Sequence, residues 1–240
     1  MGVIHPSFKI GPGVIIGDRV SIEEGCEIGA YSILEGETHI GAYNKISPHV
    51  VLGSEPQDLK YKGEGGKLTI GRGNVFREFF TAHIGHLTSE GTKIGNDNYF
   101  LTGSHVGHDC CIGDQNFIAN QVLLAGHVIM GDQNNLSGNT CVHQFCKIGS
   151  HTMISGLSGI RADVPPFVLV QGDPAKIIGI NKVGLSRKGW SKDSLFMLRE
   201  AFRLFRNKLE PEQNNPYYDQ LIGFRKNSDR GLIKFNKIKG

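Results

Sequence analysis

An aliphatic residue returns at every sixth position of this chain: Ile4, Ile10, Ile16, Ile22, Ile28, Leu34, Ile40, Ile46 and Leu52 fall in step without a slip. After two interruptions, Ile94, Phe100, Val106, Ile112, Ile118, Leu124, Met130, Leu136, Val142, Ile148, Ile154 and Ile160 resume it, and Ile70, Phe76 and Ala82 bridge the two runs. A helix would need apolar spacings of three and four, and a plain strand would alternate every two. A second column stands four residues after the first: Val14, Val20, Cys26, Ser32, Thr38, Asn44 and Val50, then Asn98, Ser104, Cys110, Asn116, Val122, Val128, Asn134, Thr140, Cys146, Thr152 and Ser158. Short strands joined by tight turns, each repeat turning one large and one small side chain inward, produce both columns. That is the signature of a parallel β-helix. The 33 glycines, about twice the usual ~7%, punctuate its turns.

The formal net charge is only +3, and basic residues cluster only toward the C-terminal end, which argues against a dedicated nucleic-acid binder. The start, MGVIHPSFKIGPG, has no basic segment followed by an apolar one. No apolar run nears the ~18 residues of a membrane span, and Pro6 stands where a myristoylation signal wants Ser or Thr. The expectation is a cytoplasmic protein without a membrane span. Five cysteines and no secretory signal argue for reduced thiols. Cys26, Cys110 and Cys146 sit in the inward column, where a thiol fills space as a small hydrophobe; Cys111 and Cys141 follow one position later, near the corners.

Two segments, 53–67 and 85–93, break the hexads but keep their phase, so each is either an extruded loop or a pair of degenerate repeats. After DVPPF the repeat stops, since neither Pro165 nor Pro166 can donate to a ladder. This divides the chain into a β-helix over 1–180 and a helical region over 181–240. Within the latter, Ser191 is a candidate N-cap, Leu195, Leu198, Phe202, Phe205 and Leu209 form one apolar stripe, and Pro211 closes the helix. One more weak helix and a basic end are expected after it.

The hexads resemble those of the hexapeptide-repeat acyltransferase superfamily, and that resemblance implies a left-handed, three-sided coil of eighteen residues. Val106, Leu124 and Val142 then begin the same face of successive coils, with Ala82 one coil earlier if 85–93 is extruded. On that register His83, His105, His108, His127 and His143, five of the ten histidines, gather on one side. None lies in an inward column. His105 is expected at the corner before Val106.

Three chemistries fit such a cluster. Imidazoles from adjacent coils could hold Zn²⁺, although "HVGH" is H-x-x-H rather than the wider H-x₃₋₅-H spacing. Cys110 or Cys111 could be a nucleophile, but Cys110 faces inward by its column and Cys111 has no evident cation to activate it. His108 could be a general base, its unperturbed pKa of ~6.5 suiting proton removal near neutrality. Asp109 could fix its tautomer only if the backbone between them turns, because strand alternation would send neighbours to opposite sides.

"QDLKY" (57–61), "HVGHDC" (105–110), "LAGHV" (124–128), "VHQFC" (142–146), "DVPPF" (163–167) and "GLSRKG" (184–189) resemble, in order and spacing, the UDP-N-acetylglucosamine acyltransferases of the lipid A pathway, over essentially the whole chain. The resemblance implies a homotrimer with sites between subunits. It would move a 3-hydroxyacyl chain from acyl carrier protein to the 3-hydroxyl of UDP-N-acetylglucosamine, with no cofactor beyond the donor's phosphopantetheine thioester, no resident metal and no covalent intermediate. It casts His108 as the base, Asp109 as its support and the Gly126 N–H as oxyanion donor. It places Asp58, Lys60, His105, His127, His143 and Gln144 at the sugar or acyl group, Asn181, Arg187 and Lys188 at the nucleotide, and Gly156 where side-chain size limits acyl length. Val183 stands where many members carry an acid, and Pro174 where a His is common. Other readings are an acyl- or acetyltransferase with a 3-amino acceptor or coenzyme A donor, a γ-type zinc carbonic anhydrase, and a non-catalytic solenoid.

Overall fold

The computed structural model describes residues 5–236; Ile4 of the repeat and the basic end beyond 236 lie outside them. The described residues form three sheets, of 10, 8 and 7 strands, most of only two residues. Between successive strands the chain turns a corner and passes to the next sheet, so each sheet is one wall of a three-sided prism. The strand pairs are parallel with one exception, Val168–Gln171 against Lys176–Ile180. The result is the expected left-handed parallel β-helix.

The register is the one the hexads predict. In the 8-stranded sheet Val106 pairs with Leu124, Leu124 with Val142 and Val142 with Ile160. Leu52 pairs with Ala82 and Ala82 with Val106, so both interruptions are looped out and the stacking is kept. The loops are shorter than 53–67 and 85–93: Val51–Ser54 and Lys67–Ile70 are strands at the edges of the first, and Thr92–Ile94 is a strand closing the second. Both leave at the corner that follows Leu52 and Ala82, which is the corner that follows Val106.

The inward column is sealed. Val106, Leu124, Val142, Cys26, Cys110 and Cys146 are all buried. Where the small column carries Asn, the amides satisfy one another up the prism: Asn98 N donates to Asn74 Oδ1 (2.9 Å), Asn116 N to Asn98 Oδ1 (2.8 Å) and Asn134 N to Asn116 Oδ1 (2.8 Å). Buried polar groups are tolerated when they are paired in this way. Cys111 and Cys141 are not corner residues; they are exposed strand residues on the outer surface.

Corners repeat a left-handed backbone residue, at Asp109 (φ 58°), His127 (φ 61°) and Phe145 (φ 65°) along one edge. A non-glycine residue there costs roughly 1–2 kcal/mol. The N–H of each corner residue is used against the coil before: His127 N donates to His108 O (2.9 Å) and Phe145 N to Gly126 O (3.1 Å). Rings stack along the edge as well, His127 on Phe145 with centroids 4.4 Å apart.

Past Ile180 the chain turns helical. Helix α1 (Lys182–Arg187) takes up "GLSRKG", α2 (Lys192–Asn207) follows Ser191, whose side chain accepts the Ser194 N–H, and α3 (Pro216–Lys226) completes the tail. Leu195, Leu198, Ala201, Leu204 and Phe205 are the buried stripe of α2. Leu209 is not part of it: Lys208 takes a left-handed conformation and ends the helix before Pro211, leaving Leu209 exposed. The tail returns to the prism, where Ile233 joins the core and Leu232 and Phe235 bridge to Asp163 and Ile177. No helix among the described residues is long and apolar enough to cross a membrane.

The core beside the extruded loops is filled by Phe76, Phe80 and Phe100, all fully buried, with ring centroids 4.8 to 5.3 Å apart. Their coils flank both extruded loops, so this packing reinforces the strand pairing of the walls there. Phe100→Ala should lower unfolding stability by about 3–5 kcal/mol, measured by chemical denaturation, whereas Phe117→Ala on the outer wall should change it far less.

Candidate functional site

The edge that carries Asp109, His127 and Phe145 brings the functional side chains together. His108 Nδ1 lies 2.9 Å from Asp109 Oδ2. Adjacent residues meet because Asp109 has left the strand for the left-handed region, which supplies the turn that the pairing requires. Asp109 is itself clamped: its Oδ1 accepts the N–H groups of Leu87 and Thr88 (both 2.9 Å) and the Thr88 hydroxyl (3.1 Å), and its own N–H donates to Thr92 Oγ1 (2.8 Å). Burial would raise its pKa, but the bond from His108 and the N–H groups of Thr88, Leu87 and His86 outweigh it and hold the carboxyl below the ordinary range. An ionised Asp109 fixes the His108 proton on Nδ1 and leaves a lone pair on Nε2.

That nitrogen faces Gly126. A Cβ built on Gly126 would lie 2.6 Å from His108 Nε2, so only glycine lets the ring sit there. The Gly126 N–H has no acceptor among the described residues. The free lone pair of Nε2 is thus packed against a residue whose own N–H has no acceptor.

The other imidazoles surround this pair. His127 stands edge-on to His108 at 5.1 Å, and burial lowers its pKa. His105 is in the strand His105–Val106 and not at the corner before it, because strand pairing with Thr81 and Leu123 includes it. Its Nδ1 is 2.8 Å from Thr81 Oγ1. Burial, then the neighbouring His83 and His108, lower its pKa to about 4, so it is neutral at physiological pH. His83, edge-on to His105 at 5.2 Å, hydrogen-bonds to the Glu55 carbonyl through Nδ1. His83 and His108 do not face the prism core, yet both are buried; the extruded loops cover them.

Those loops contribute two further groups. Asp58 arrives from the first, and its Oδ2 lies 3.6 Å from His86 Nε2 on the second. His86, which the hexad reading missed, has a side chain only 4% exposed, and its ring centroid is 5.8 Å from that of His108. Its one sequence signal was its place three residues after His83, inside an interruption that the repeat gives no coordinate. Lys60 donates its backbone N–H to Asp58 Oδ1 (2.9 Å), while its side chain is exposed.

A cleft of about 470 Å³ opens from this cluster along the 8-stranded wall. Its floor is the outward column His105, Leu123, Cys141 and Gly159, its rim includes His143 and Gln144, and it ends at Arg161 and Asp173, an ion pair at 2.9 Å. Gly156 is at the corner across the same wall from His108, where an added Cβ would meet the Gly138 carbonyl oxygen at 3.1 Å. The expected nucleotide residues lie elsewhere. Asn181, Arg187 and Lys188 line a second cleft of about 440 Å³ with Phe117, Asn135 and Met153 on the 10-stranded wall. Asn181 Oδ1 caps α1 and Lys188 Nζ donates to Gln133 O and Oε1, both at 3.0 Å. The two clefts share no lining residue within the chain.

Known proteins share this architecture. Residues 163–233 match the family model "Udp N-acetylglucosamine O-acyltransferase; Domain 2", and residues 19–54 match "Bacterial transferase hexapeptide (six repeats)". An acyl-[acyl-carrier-protein]--UDP-N-acetylglucosamine O-acyltransferase of Thiobacillus denitrificans is 40% identical, covering 98% of this chain and 100% of its own length. The enzyme of the same name from a Synechocystis is 44% identical over 75% of this chain and 66% of its own. Among solved structures, LpxA from Acinetobacter baumannii superposes with a TM-score of 0.93 at 40% identity, covering 97% of this chain and 95% of that one. The chain belongs to the UDP-N-acetylglucosamine O-acyltransferase family.

Proposed function

We propose that the protein transfers a 3-hydroxyacyl group from acyl carrier protein to the 3-hydroxyl of UDP-N-acetylglucosamine, the first step of lipid A biosynthesis. The observation that carries this reading is the pairing of His108 with a clamped Asp109, with Nε2 packed against Gly126, whose N–H has no acceptor among the described residues. In this reaction Nε2 takes the proton of the sugar hydroxyl as its oxygen attacks the thioester carbonyl. The carbonyl oxygen becomes an oxyanion that accepts the Gly126 N–H. On collapse the C–S bond breaks, and the carrier thiolate leaves with the proton that His108 acquired. Asp109 stays ionised and stabilises the imidazolium between the two steps. Every atom is accounted for without a cofactor or a covalent enzyme intermediate.

The apolar floor of the first cleft, Leu123, Cys141 and Gly159, suits an acyl chain leaving the reaction centre, with Gly156 at the same wall setting its room. Asp58, Lys60, His105, His127, His143 and Gln144 would contact the sugar or the acyl head. Two cations beside Asn181 suit a diphosphate, since Arg187 and Lys188 are charge-assisted donors. As that second cleft is on a different wall, a substrate that reaches both requires a neighbouring copy, and the cyclic homotrimer of the family reading would supply one.

Loss of the base should be severe. His108→Ala is expected to lower kcat by about 10²- to 10⁴-fold with an unchanged circular dichroism spectrum; wild-type turnover in that variant would overturn the mechanism. Gly126→Ala tests the geometry separately. Its new methyl displaces the His108 ring, so kcat should fall steeply while the melting temperature changes little, because Gly126 does not use a left-handed backbone.

A further inference from the structure

We infer that Asp58, His86 and His108 form a binding site for Zn²⁺, and that the ion, when bound, occupies the Nε2 lone pair of His108 and blocks acyl transfer. Ligand atoms of these three residues lie within 4.8 Å of one another, with Asp58 Oδ2 and His86 Nε2 at 3.6 Å. Bonds of ~2.0–2.2 Å put the ligands of a tetrahedral zinc roughly 3.3–3.5 Å apart. Asp58 and His86 are already near that spacing, and both stand on extruded loops, so the closure needed is a movement of these loops toward His108.

His86 Nε2 is buried and has no hydrogen-bond partner. A ring nitrogen in that position, pointed at a carboxylate and a second imidazole, is an unused ligand. A supporting partner is also in place: zinc-bound histidines commonly donate their other N–H to a carboxylate, and His108 does so to Asp109. His108, Asp109 and His127 are a second close group, but Asp109 is no primary ligand. Its Oδ1 is filled by Leu87 and Thr88 and its Oδ2 by His108. Three protein ligands leave the fourth position of a tetrahedral ion to water, since His127 groups with His108 and Asp109 and not with Asp58 and His86. Imidazoles with one carboxylate favour zinc over magnesium or calcium. The thiols play no part, since Cys110 is sealed in the core and bonded to the Ala125 carbonyl.

Binding of the ion needs nothing from the proposed reaction; only the inhibition rests on His108 being its base. The test uses the full chain, freed of metal and titrated first with Co²⁺, then with Zn²⁺. Expected are the visible absorption bands of a four-coordinate cobalt site, one ion per chain, displacement by Zn²⁺, and a zinc Kd on the order of micromolar or tighter. Asp109→Asn should weaken binding by the ~10- to 100-fold typical of a lost supporting partner. His86→Ala and Asp58→Asn should each weaken it more, and Cys141→Ser should leave it unchanged. Zinc should inhibit acyl transfer at the same midpoint, with recovery on adding a chelator. Absence of the cobalt bands in the wild-type protein, which needs no variant to fold, would overturn the site. So would binding that survives both His86→Ala and Asp58→Asn, or that falls with Cys141→Ser. Tight binding with undiminished transfer would instead overturn the inhibition and, with it, the role of His108.

Discussion

Parallel pairing between successive coils is the constraint from which the rest of this structure follows. A coil buries its inner face only against its neighbours, and most of its peptide groups find their partners in the coils before and after. Leu124 must therefore lie over Val106 and Val142 over Leu124. Extra residues can be accommodated only where the chain leaves one wall for the next. Both insertions do so at the edge that holds Asp109 and His127, and the site is built where a rigid edge meets two loops that the edge cannot absorb.

The electrostatics follow from the same arrangement. A carboxylate removed from water stays ionised only if several donors replace its hydration. Loop residues Leu87 and Thr88 provide them for Asp109, together with the ring of His108. The loop thus does more than cover the site, because without its N–H groups the buried carboxyl would have reason to hold a proton and would no longer orient the imidazole. His105 shows the opposite outcome. It has no carboxylate partner, lies close to His83, and burial with its neighbours moves its pKa down to about 4. The coil thus gives two histidines three residues apart different partners, Asp109 for one and Thr81 for the other.

The period of six revealed the prism, the inward thiols of Cys26, Cys110 and Cys146, and the common edge of His108 and His127, because each depends on register alone. Register could not locate His86 or Asp58, which lie in loops where the hexad frame has no meaning. It also misplaced His105, Cys111 and Cys141: the strands begin one residue before the large inward aliphatic, so these residues are on the flat outer wall and not at a corner. In the tail, the apolar stripe of α2 ran on to Leu209 because hydrophobic spacing does not register the left-handed turn at Lys208 that ends the helix. The separation of Asn181, Arg187 and Lys188 from His108 was hidden for a related reason. Motif order along a chain does not tell which wall each motif faces.

One consequence joins the proposed base and the proposed ion site. A base of this kind needs a neutral imidazole whose proton is fixed on one nitrogen, and a zinc ligand needs the same. Asp109 meets both requirements with a single hydrogen bond, so selecting the tautomer for proton transfer also produces a competent metal ligand. What separates the two outcomes is the set of donors around Nε2. Gly126 offers only an N–H, which suits an oxyanion, while His86 and Asp58 offer a lone pair and a carboxylate, which suit a cation. Since Nε2 has one lone pair, a proton from the sugar and a metal ion compete for it.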